Sequence, residues 1–318
     1  MRYRTLGRTD LSVAPLCLGG NVFGWTADER RSFAVLDAYM DGGGNFLDTA
    51  DTYSAWLPGH VGGESESILG RWMRARNNRD RVILATKVGS RMGTAPNAQG
   101  LSRRYLMEEV EASLKRLQTD YIDLYQAHRD DPNTPLDETL AAFDDLVRQG
   151  KVRYIGASNY SAARLRDALQ VSAQHGYACY ECVQPPYNLV NRAAYERELE
   201  PLCLKEGLGV ITYSSLASGF LTGKYRSGKD LPDTPRAKEI QERYLNEQGF
   251  HVLGQLDSIA QAHSAAVSQV ALAWVMARPG ITAAIASATS VEQLHELLTA
   301  TELKLDDREL KTLDDVSE

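Results

Sequence analysis

The sequence predicts an α/β fold, a (β/α)8 TIM barrel with an N-terminal β-hairpin and an extra C-terminal helix. Along nearly the whole chain, short apolar runs alternate with longer stretches of helical periodicity. Eight strand candidates can be counted in this pattern. The alternative is an open, doubly wound sheet, which usually carries a GxGxxG turn after an early strand. No such turn is present, and Gly42-Gly43-Gly44 precedes a strand instead of following one.

The first element is a hairpin over Arg2–Val13, in which two strand-like runs flank the turn-rich segment Gly7–Asp10. We expect this hairpin to cap the bottom of the barrel. The barrel strands are predicted at Leu16–Gly19, Asn45–Asp48, Val82–Thr86, Tyr121–Gln126, Tyr154–Ala157, Cys182–Gln184, Gly209–Tyr213 and Ile281–Ala286.

Helices are predicted between these strands at Asp28–Met40, Glu66–Ala75, Arg103–Leu117, Leu136–Gln149, Ala162–His175, Ala194–Lys205 and Leu253–Ala277. Val291–Leu298 follows the last strand, and Asp306–Val316 is predicted as one further helix outside the barrel. Glycines just past several helices, such as Gly176 and Gly207, are typical of helix C-caps. No linker or low-complexity segment interrupts the pattern, so we expect residues 1–318 to form one domain.

The composition is that of an ordinary globular protein, with 318 residues, of which 43% are hydrophobic and 24% charged. The net charge of −7 argues against a nucleic-acid-binding surface, which is normally basic. No apolar run approaches the ~18 residues of a transmembrane helix, and Met1–Thr5 lacks the apolar core of a signal peptide. We therefore expect a cytoplasmic protein without nucleic-acid or membrane partners. The sequence does not indicate an oligomeric state.

Cysteine and histidine patterns predict neither disulfides nor a metal site. Four cysteines in a chain of this length do not form a disulfide framework, and the single CxxC at Cys179–Cys182 has no second pair. The six histidines show no HExxH or comparable spacing.

Proton-handling side chains follow three successive strand candidates. Asp48 ends the second strand and Tyr53 lies five residues later, whereas Lys87 and His128 end the next two strands. In a parallel barrel these ends meet on one face, where active sites are built. Two long loops, Tyr53–Glu64 and Leu216–Glu239, lie on the same face.

With these residues, the chain resembles the aldo-keto reductase superfamily, including its potassium-channel β-subunit-like members. The likeness covers nearly the whole length. The family's Asp, Tyr, Lys, His tetrad matches Asp48, Tyr53, Lys87 and His128 in order. Further matching segments are Gly156-Ala157-Ser158-Asn159, Gln184-Pro185-Pro186-Tyr187-Asn188, Thr212-Tyr213-Ser214-Ser215-Leu216 and Leu221-Thr222-Gly223-Lys224-Tyr225.

The resemblance implies an NADPH-dependent oxidoreductase that reduces a carbonyl to an alcohol, with Tyr53 as the general acid. The pKa of a free tyrosine is near ~10, and a neighbouring ammonium stabilises the phenolate. We therefore expect Lys87 to lower the pKa of Tyr53 and Asp48 to keep Lys87 charged. His128 would donate to the substrate's carbonyl oxygen.

The resemblance also implies a set of cofactor contacts. Ser158, Asn159 and Gln184 would bind the nicotinamide carboxamide, and Tyr213 would stack on its ring. Ser214, Leu216 and Lys224 match positions that hold the pyrophosphate, where a cation and backbone N–H groups suit the charge. In the same loop, Arg236 is a candidate phosphate clamp.

The adenosine end is expected at the start of the last helix that follows a barrel strand, with Ser287, Thr289 and Gln293. Here the chain departs from the family pattern, because Ser287 stands where glycine is frequent and Val291 where proline is frequent. No arginine or lysine lies between positions 286 and 298, so hydroxyls would have to bind the 2′-phosphate. We expect NADP(H), with NAD(H) as the open alternative.

Substrate contacts are predicted in the loops after strands one and two, at Asn21, Val22, Trp25 and Trp56. The two tryptophans would form an aromatic wall that suits sugars and flat carbonyl compounds alike. The resulting expectation is a small-molecule carbonyl substrate.

Two other functions remain open. One is a cofactor-sensing regulatory subunit, against which we count the position of Met1 directly before the hairpin. The other is the reverse reaction, oxidation of a sugar alcohol, because cellular cofactor ratios set the direction.

Overall fold

A computed structural model of the chain describes residues 1–93, 98–226, 228–231 and 234–318. In this described part, eight parallel strands close into a barrel, and a two-stranded antiparallel hairpin precedes them. The (β/α)8 fold is therefore confirmed, and an open sheet is excluded.

The hairpin pairs β1 (Arg4–Thr5) with β2 (Ser12–Val13). The barrel strands are β3 (Leu16–Gly19), β4 (Phe46–Asp48), β5 (Ile83–Val88), β6 (Ile122–Ala127), β7 (Val152–Ser158), β8 (Tyr180–Gln184), β9 (Gly209–Thr212) and β10 (Ile281–Ala286). Neighbouring barrel strands are consecutive in sequence, and β10 pairs with β3 to close the barrel. Every barrel strand begins and ends within two residues of its predicted bounds.

The helices surround this barrel and pack apolar faces against it. They are α1 (Glu29–Asp41), α2 (Glu64–Arg76), α3 (Arg103–Leu117), α4 (Leu136–Arg148), α5 (Ala162–His175), α6 (Glu200–Glu206), α7 (Ala237–Tyr244), α8 (Glu247–His263), α9 (Val267–Ala277), α10 (Val291–Thr299) and α11 (Asp307–Val316). Short 3₁₀ helices lie at Gly20–Val22, Arg79–Arg81 and Ala217–Thr222, and a π-helical turn at Tyr195–Leu199 leads into α6.

Local sequence explains where several helices begin. The side chains of Asp28, Ser102 and Asp306 each accept a hydrogen bond from the backbone N–H three residues further on. Such caps satisfy backbone donors that the first helical turn leaves without partners.

The helix predictions are wrong in two places. The periodic stretch Leu253–Ala277 is two helices, because Ser264 adopts a left-handed conformation (φ 52°) that ends α8 before α9 begins. The long loop at Leu216–Glu239 contains the 3₁₀ helix Ala217–Thr222 and the start of α7. Residues 227, 232 and 233 of that loop lie outside the described residues.

The hairpin closes the N-terminal end of the barrel, as predicted. Leu6 is fully buried in the apolar centre of the barrel, together with residues such as Cys17 and Phe46. The Arg4 guanidinium donates to the backbone oxygen of Ile281, the first residue of β10, over 2.9 Å. The carboxyl ends of the strands therefore form the open face of the barrel.

The last helix, α11, packs outside the barrel against α8, as expected. His263 and Glu309 form a 2.7 Å contact, and the Trp274 indole N–H donates to Asp314 over 2.9 Å. In the described ranges, no helix is both long and apolar enough to cross a lipid bilayer.

Candidate active site

Asp48, Tyr53 and Lys87 meet at the open end of the barrel. The Lys87 ammonium donates to Asp48 Oδ2 over 2.6 Å, to the Tyr53 hydroxyl over 2.8 Å and to the backbone oxygen of Thr49 over 2.8 Å. These three bonds use every N–H of the ammonium group. Asp48 and Lys87 are each only 1% exposed, so the pair is shielded from water.

The position of Tyr53 depends on the chain that follows β4. The backbone N–H of Tyr53 donates to the Ala50 oxygen over 3.3 Å, which forms a tight turn. The next residue, Ser54, is fully buried with a φ of 74°, and its hydroxyl donates to the Phe23 oxygen over 3.1 Å. A left-handed non-glycine residue is strained and persists only where its surroundings hold it. The turn therefore places the phenol on Lys87.

Burial raises the pKa of Tyr53 to about 12. The Lys87 ammonium opposes this increase, and the Asp48 carboxylate adds to it. The expected lowering is therefore wrong in net direction, although Lys87 acts as expected. For Lys87 itself, burial favours a lower pKa, but Asp48 and Tyr53 outweigh it and raise the pKa, so the ammonium stays charged.

His128 lies directly after β6, beside Tyr53. Its backbone N–H donates to the Val88 oxygen over 2.8 Å, and its ring meets the Tyr53 ring edge to face with centroids 6.1 Å apart. Burial, together with Lys87 and Arg129, lowers the pKa of His128 to about 3. The imidazole is therefore neutral near neutral pH and carries one N–H donor.

Two buried amides hold the second oxygen of Asp48. The Gln184 side-chain nitrogen donates to Asp48 Oδ1 over 2.9 Å and to Gln126 Oε1 over 3.2 Å. Gln126 also reaches Asp48 Oδ1, over 3.4 Å. Sequence reasoning missed Gln126, although strand alternation puts it on the same side of β6 as His128, two residues later. The proposed contact of Gln184 with a nicotinamide carboxamide stays a prediction.

The predicted nicotinamide residues form a chain of hydrogen bonds after β7. The Ser158 hydroxyl donates to the Gln184 backbone oxygen over 2.9 Å. The Asn159 amide nitrogen donates to the His128 backbone oxygen over 2.9 Å, and the Tyr213 hydroxyl donates to Asn159 Oδ1 over 2.8 Å. The proton-handling cluster, formed by Asp48, Tyr53, Lys87 and His128, therefore lies next to these three residues.

The loop after β9 has the properties of an anion site. Ser214 and Ser218 adopt left-handed conformations, and the Leu216 backbone oxygen accepts the N–H of Gly219 over 2.9 Å. Such left-handed segments turn backbone N–H groups towards bound anions. Neither the Lys224 ammonium nor the Arg236 guanidinium forms an ion pair or hydrogen bond with any described residue.

Burial lowers the pKa of both of these cations, and Arg236 lowers that of Lys224 further. Arg236 is half-buried and Lys224 is exposed, so both charges are available to an anionic ligand. The residues present thus fit the pyrophosphate of a dinucleotide.

The predicted aromatic wall is present. Trp25 and Trp56 meet edge to face with centroids 5.3 Å apart, and Trp56 lies 6.3 Å from the Tyr53 ring. The Arg236 guanidinium lies over the Trp25 ring, 5.3 Å from its centroid. The loop after β9, called the phosphate loop below, therefore contacts the aromatic wall. Val22, in contrast, is buried in the hydrophobic core.

The predicted adenosine residues lie at the start of α10. The backbone N–H and hydroxyl of Thr289 both donate to Gln293 Oε1, over 2.9 and 3.0 Å. The Ser287 hydroxyl donates to Asn21 Oδ1 over 2.5 Å, so a predicted cofactor residue contacts a predicted substrate residue. In the described residues, no three His, Cys, Asp or Glu side chains converge as metal ligands, and all four cysteines are free.

Comparison with known proteins shows the family of the chain. The model of the Aldo/keto reductase family matches residues 15–318. The chain is 40% identical to an uncharacterized oxidoreductase, YrpG, of Bacillus subtilis (strain 168), across 99% of this chain and 96% of that protein.

Two other relatives are named for a different role. A probable voltage-gated potassium channel subunit beta of Oryza sativa subsp. japonica is 36% identical, across 94% of this chain and 91% of its own length. A putative voltage-gated potassium channel subunit beta of Schizosaccharomyces pombe (strain 972 / ATCC 24843) is 34% identical, across 99% and 92%.

Proposed function

Because the chain belongs to the aldo/keto reductase family and is an oxidoreductase, we propose that it uses NADPH to reduce an aldehyde, ketone or sugar-derived carbonyl to the alcohol. The observation that supports this most directly is the Lys87 ammonium shared by Asp48 and Tyr53 over 2.6 and 2.8 Å. A phenol and a cation in this arrangement can protonate the oxygen of a carbonyl while it is reduced.

Tyr53 is the proposed general acid. Bound NADPH supplies the hydride that goes to the carbonyl carbon. The Tyr53 hydroxyl gives its proton to the carbonyl oxygen, and Lys87 stabilises the phenolate that this transfer leaves. Because the pKa of Tyr53 is about 12, the phenol is protonated near neutral pH and ready to act as an acid.

His128 orients the carbonyl. As a neutral imidazole, it offers an N–H to the substrate oxygen without competing with Lys87 for the phenolate charge. Trp25 and Trp56 give the substrate an aromatic surface beside Tyr53.

The cofactor proposal is NADP(H), with NAD(H) as the alternative. Lys224 and Arg236 would hold the pyrophosphate, and Tyr213 would stack on the nicotinamide. The hydroxyls of Ser287 and Thr289 would bind the 2′-phosphate. We also propose a cytoplasmic location, a reducing setting in which the four cysteines stay free.

The direct test is a panel of aldehydes, ketones and sugar-derived carbonyls, followed by NADPH consumption. We expect saturable consumption with at least one member and none without protein. No consumption with any class of carbonyl, with the cofactor bound, would contradict the proposal. Running the panel with alcohols and the oxidised cofactor tests the reverse direction.

A regulatory subunit is the second candidate, favoured by the two relatives named as potassium channel subunits. In that case the protein would bind the cofactor and a partner protein and turn over carbonyls slowly. The molecular size of the purified protein, measured with and without cell extract, separates the candidates. A cofactor-dependent size increase together with slow turnover would favour the subunit.

A further inference from the structure

Asp51 is a buried carboxyl in the turn that carries Tyr53, and the proposed reaction does not use it. Its side chain is 0% exposed. The backbone N–H of Asp51 donates to the Lys87 oxygen over 3.2 Å, and its Oδ1 accepts the Thr52 N–H over 2.6 Å. Asp51 therefore connects the strand of Lys87 to the turn of Tyr53.

The other oxygen, Asp51 Oδ2, is buried without a hydrogen-bond partner among the described residues. The hydroxyls of Tyr105 on α3 and Tyr125 on β6 are also buried and unpartnered. Burial raises the pKa of both phenols, and the Asp51 charge is the next largest cause for each. The Asp51 carboxyl therefore lies close enough to both hydroxyls to affect their pKa values but bonds to neither, and an internal water with several polar partners would satisfy all three groups.

The surroundings contain too little positive charge for a third carboxylate. Glu66 on α2 and Glu109 on α3 face the same interior. Arg116 already bonds both: its Nε donates to Glu66 Oε2 over 2.6 Å, and its Nη2 donates to Glu109. Thr86 on β5 donates its hydroxyl to Glu66 Oε1 over 2.6 Å.

Lys87 does not neutralise Asp51 either. All three N–H groups of Lys87 are engaged by Asp48, Tyr53 and Thr49. Arg91 is exposed, and its charge favours a lower pKa of Tyr105. Burial, followed by Glu66 and Glu109, raises the pKa of Asp51 well above its ordinary value.

We propose that Asp51 is a positioning residue that holds Tyr53 against Lys87 as a neutral carboxylic acid, linked through an internal water to the hydroxyls of Tyr105 and Tyr125. A neutral carboxylic acid can both donate and accept hydrogen bonds. Asp51 can therefore accept the Thr52 N–H and bond the water without leaving an unpaired charge in the interior. The positioning role rests on the proposed function, whereas the protonation state does not.

Infrared spectroscopy tests the protonation state without substrate. The difference spectrum of wild type minus Asp51→Asn at neutral pH should contain the C=O stretch of a protonated carboxylic acid. The exposed Asp41→Asn, as the matched control, should give carboxylate bands only. A carboxylate signal from Asp51 would overturn the proposal.

Unfolding stability gives an independent test. An unfolded Asp ionises near pH ~3.9, whereas the folded Asp51 keeps its proton to a higher pH. Wild type should therefore lose stability relative to Asp51→Asn as the pH rises from about 4 towards 8. The denaturation midpoint of wild type should therefore fall relative to that of Asp51→Asn as the pH rises. A difference between the two midpoints that stays constant with pH would contradict a neutral Asp51.

Kinetics test the positioning role. Asp51→Asn keeps the shape and hydrogen bonds of a neutral acid, so kcat should stay within about threefold of wild type. Asp51→Ala should lower kcat on the order of 10–100-fold, because small misplacements of a reacting group are costly, while NADPH affinity is unchanged. Equal losses in both variants, or no loss in Asp51→Ala, would refute the positioning role. The infrared and stability results hold even if the protein proves inactive on carbonyls.

Discussion

At the scale of single residues, the Lys87 ammonium matters most, because it contacts Asp48 over 2.6 Å and Tyr53 over 2.8 Å. Lys87→Met should raise the pKa of Tyr53 further, because the cation that opposes the increase is gone. We expect turnover to fall at least ~100-fold. The pH dependence of kcat/KM measures both effects, with the exposed Lys115→Met as control. Unchanged turnover would exclude Lys87 from the proton transfer.

His128 should make the protein sensitive to acid. Its pKa is about 3 in the folded protein, against 6.5 for an ordinary histidine, so the unfolded state binds more protons between these values. The resulting stabilisation is complete above about pH 6.5 and is lost as the pH falls towards 3.

A neutral replacement, His128→Gln, should therefore lose less stability than wild type between about pH 7 and 4. Urea unfolding at several pH values measures this, with the exposed His251→Gln as control. Parallel pH profiles for His128→Gln and wild type would contradict a neutral, buried His128.

The sequence was sufficient to predict which residues gather at the site, because Asp48, Lys87 and His128 each lie at the end of a strand. It was not sufficient to predict the pKa of Tyr53. That value depends on how deeply the turn after β4 is buried, which is set by residues distant in sequence, such as His128. For the same reason the partners of Asp48 among the buried amides were missed.

At the scale of elements, the hairpin depends on Gly7, which has a φ of 55°. A Cβ at this position would lie 2.4 Å from the Gly209 nitrogen and 2.7 Å from the Glu181 oxygen. Gly150 also has a positive φ, 73°, but a Cβ there would meet nothing within 4 Å. Alanine at either position strains the backbone, but only alanine at Gly7 also makes a close contact. Comparing the two substitutions therefore isolates the free-energy cost of that contact.

Gly7→Ala should cost about 1–3 kcal/mol more in unfolding free energy than Gly150→Ala, as expected for overpacking. Because the hairpin lies at the end of the barrel away from Tyr53, kcat of the folded variant should not change. Chemical denaturation measures the difference, and equal losses would show that the contact with Gly209 does not constrain the hairpin.

The strands were easier to predict than the helices for a physical reason. Each barrel strand is mostly buried and appears as a short, mainly apolar run with definite ends. The boundary between α8 and α9 left no such signal, because both helices bury apolar faces in the same core and their periodicity continues across the break. The left-handed Ser264 ends α8, and a serine in the sequence does not predict a left-handed conformation.

At the scale of the whole molecule, the barrel brings the phosphate loop, the aromatic wall and the proton-handling cluster to one face. Lys224→Met or Arg236→Met should weaken NADPH binding about 10–100-fold, because each loses a charge-assisted contact of about 1.5–3 kcal/mol. Fluorescence titration measures this, with the exposed Lys229→Met in the same loop as control. Equal affinities of both variants and wild type would remove the two cations from the cofactor site.

The same titration decides the cofactor. We expect wild type to bind NADPH more tightly than NADH, with the hydroxyls of Ser287 and Thr289 at the 2′-phosphate. Equal or tighter NADH binding would overturn that preference without affecting the proton-transfer cluster, which lies at the other end of the proposed cofactor site.

The central claim is that Tyr53 protonates the carbonyl oxygen, and Tyr53→Phe tests it most directly. With a carbonyl that wild type reduces, the variant should lose at least ~100-fold in turnover and keep its NADPH affinity. Adding Lys87→Met should cause little further loss, because both residues act on one proton. If Tyr53→Phe kept more than about a tenth of wild-type turnover while chemistry was rate-limiting, Tyr53 would not be the acid and His128 would take that role.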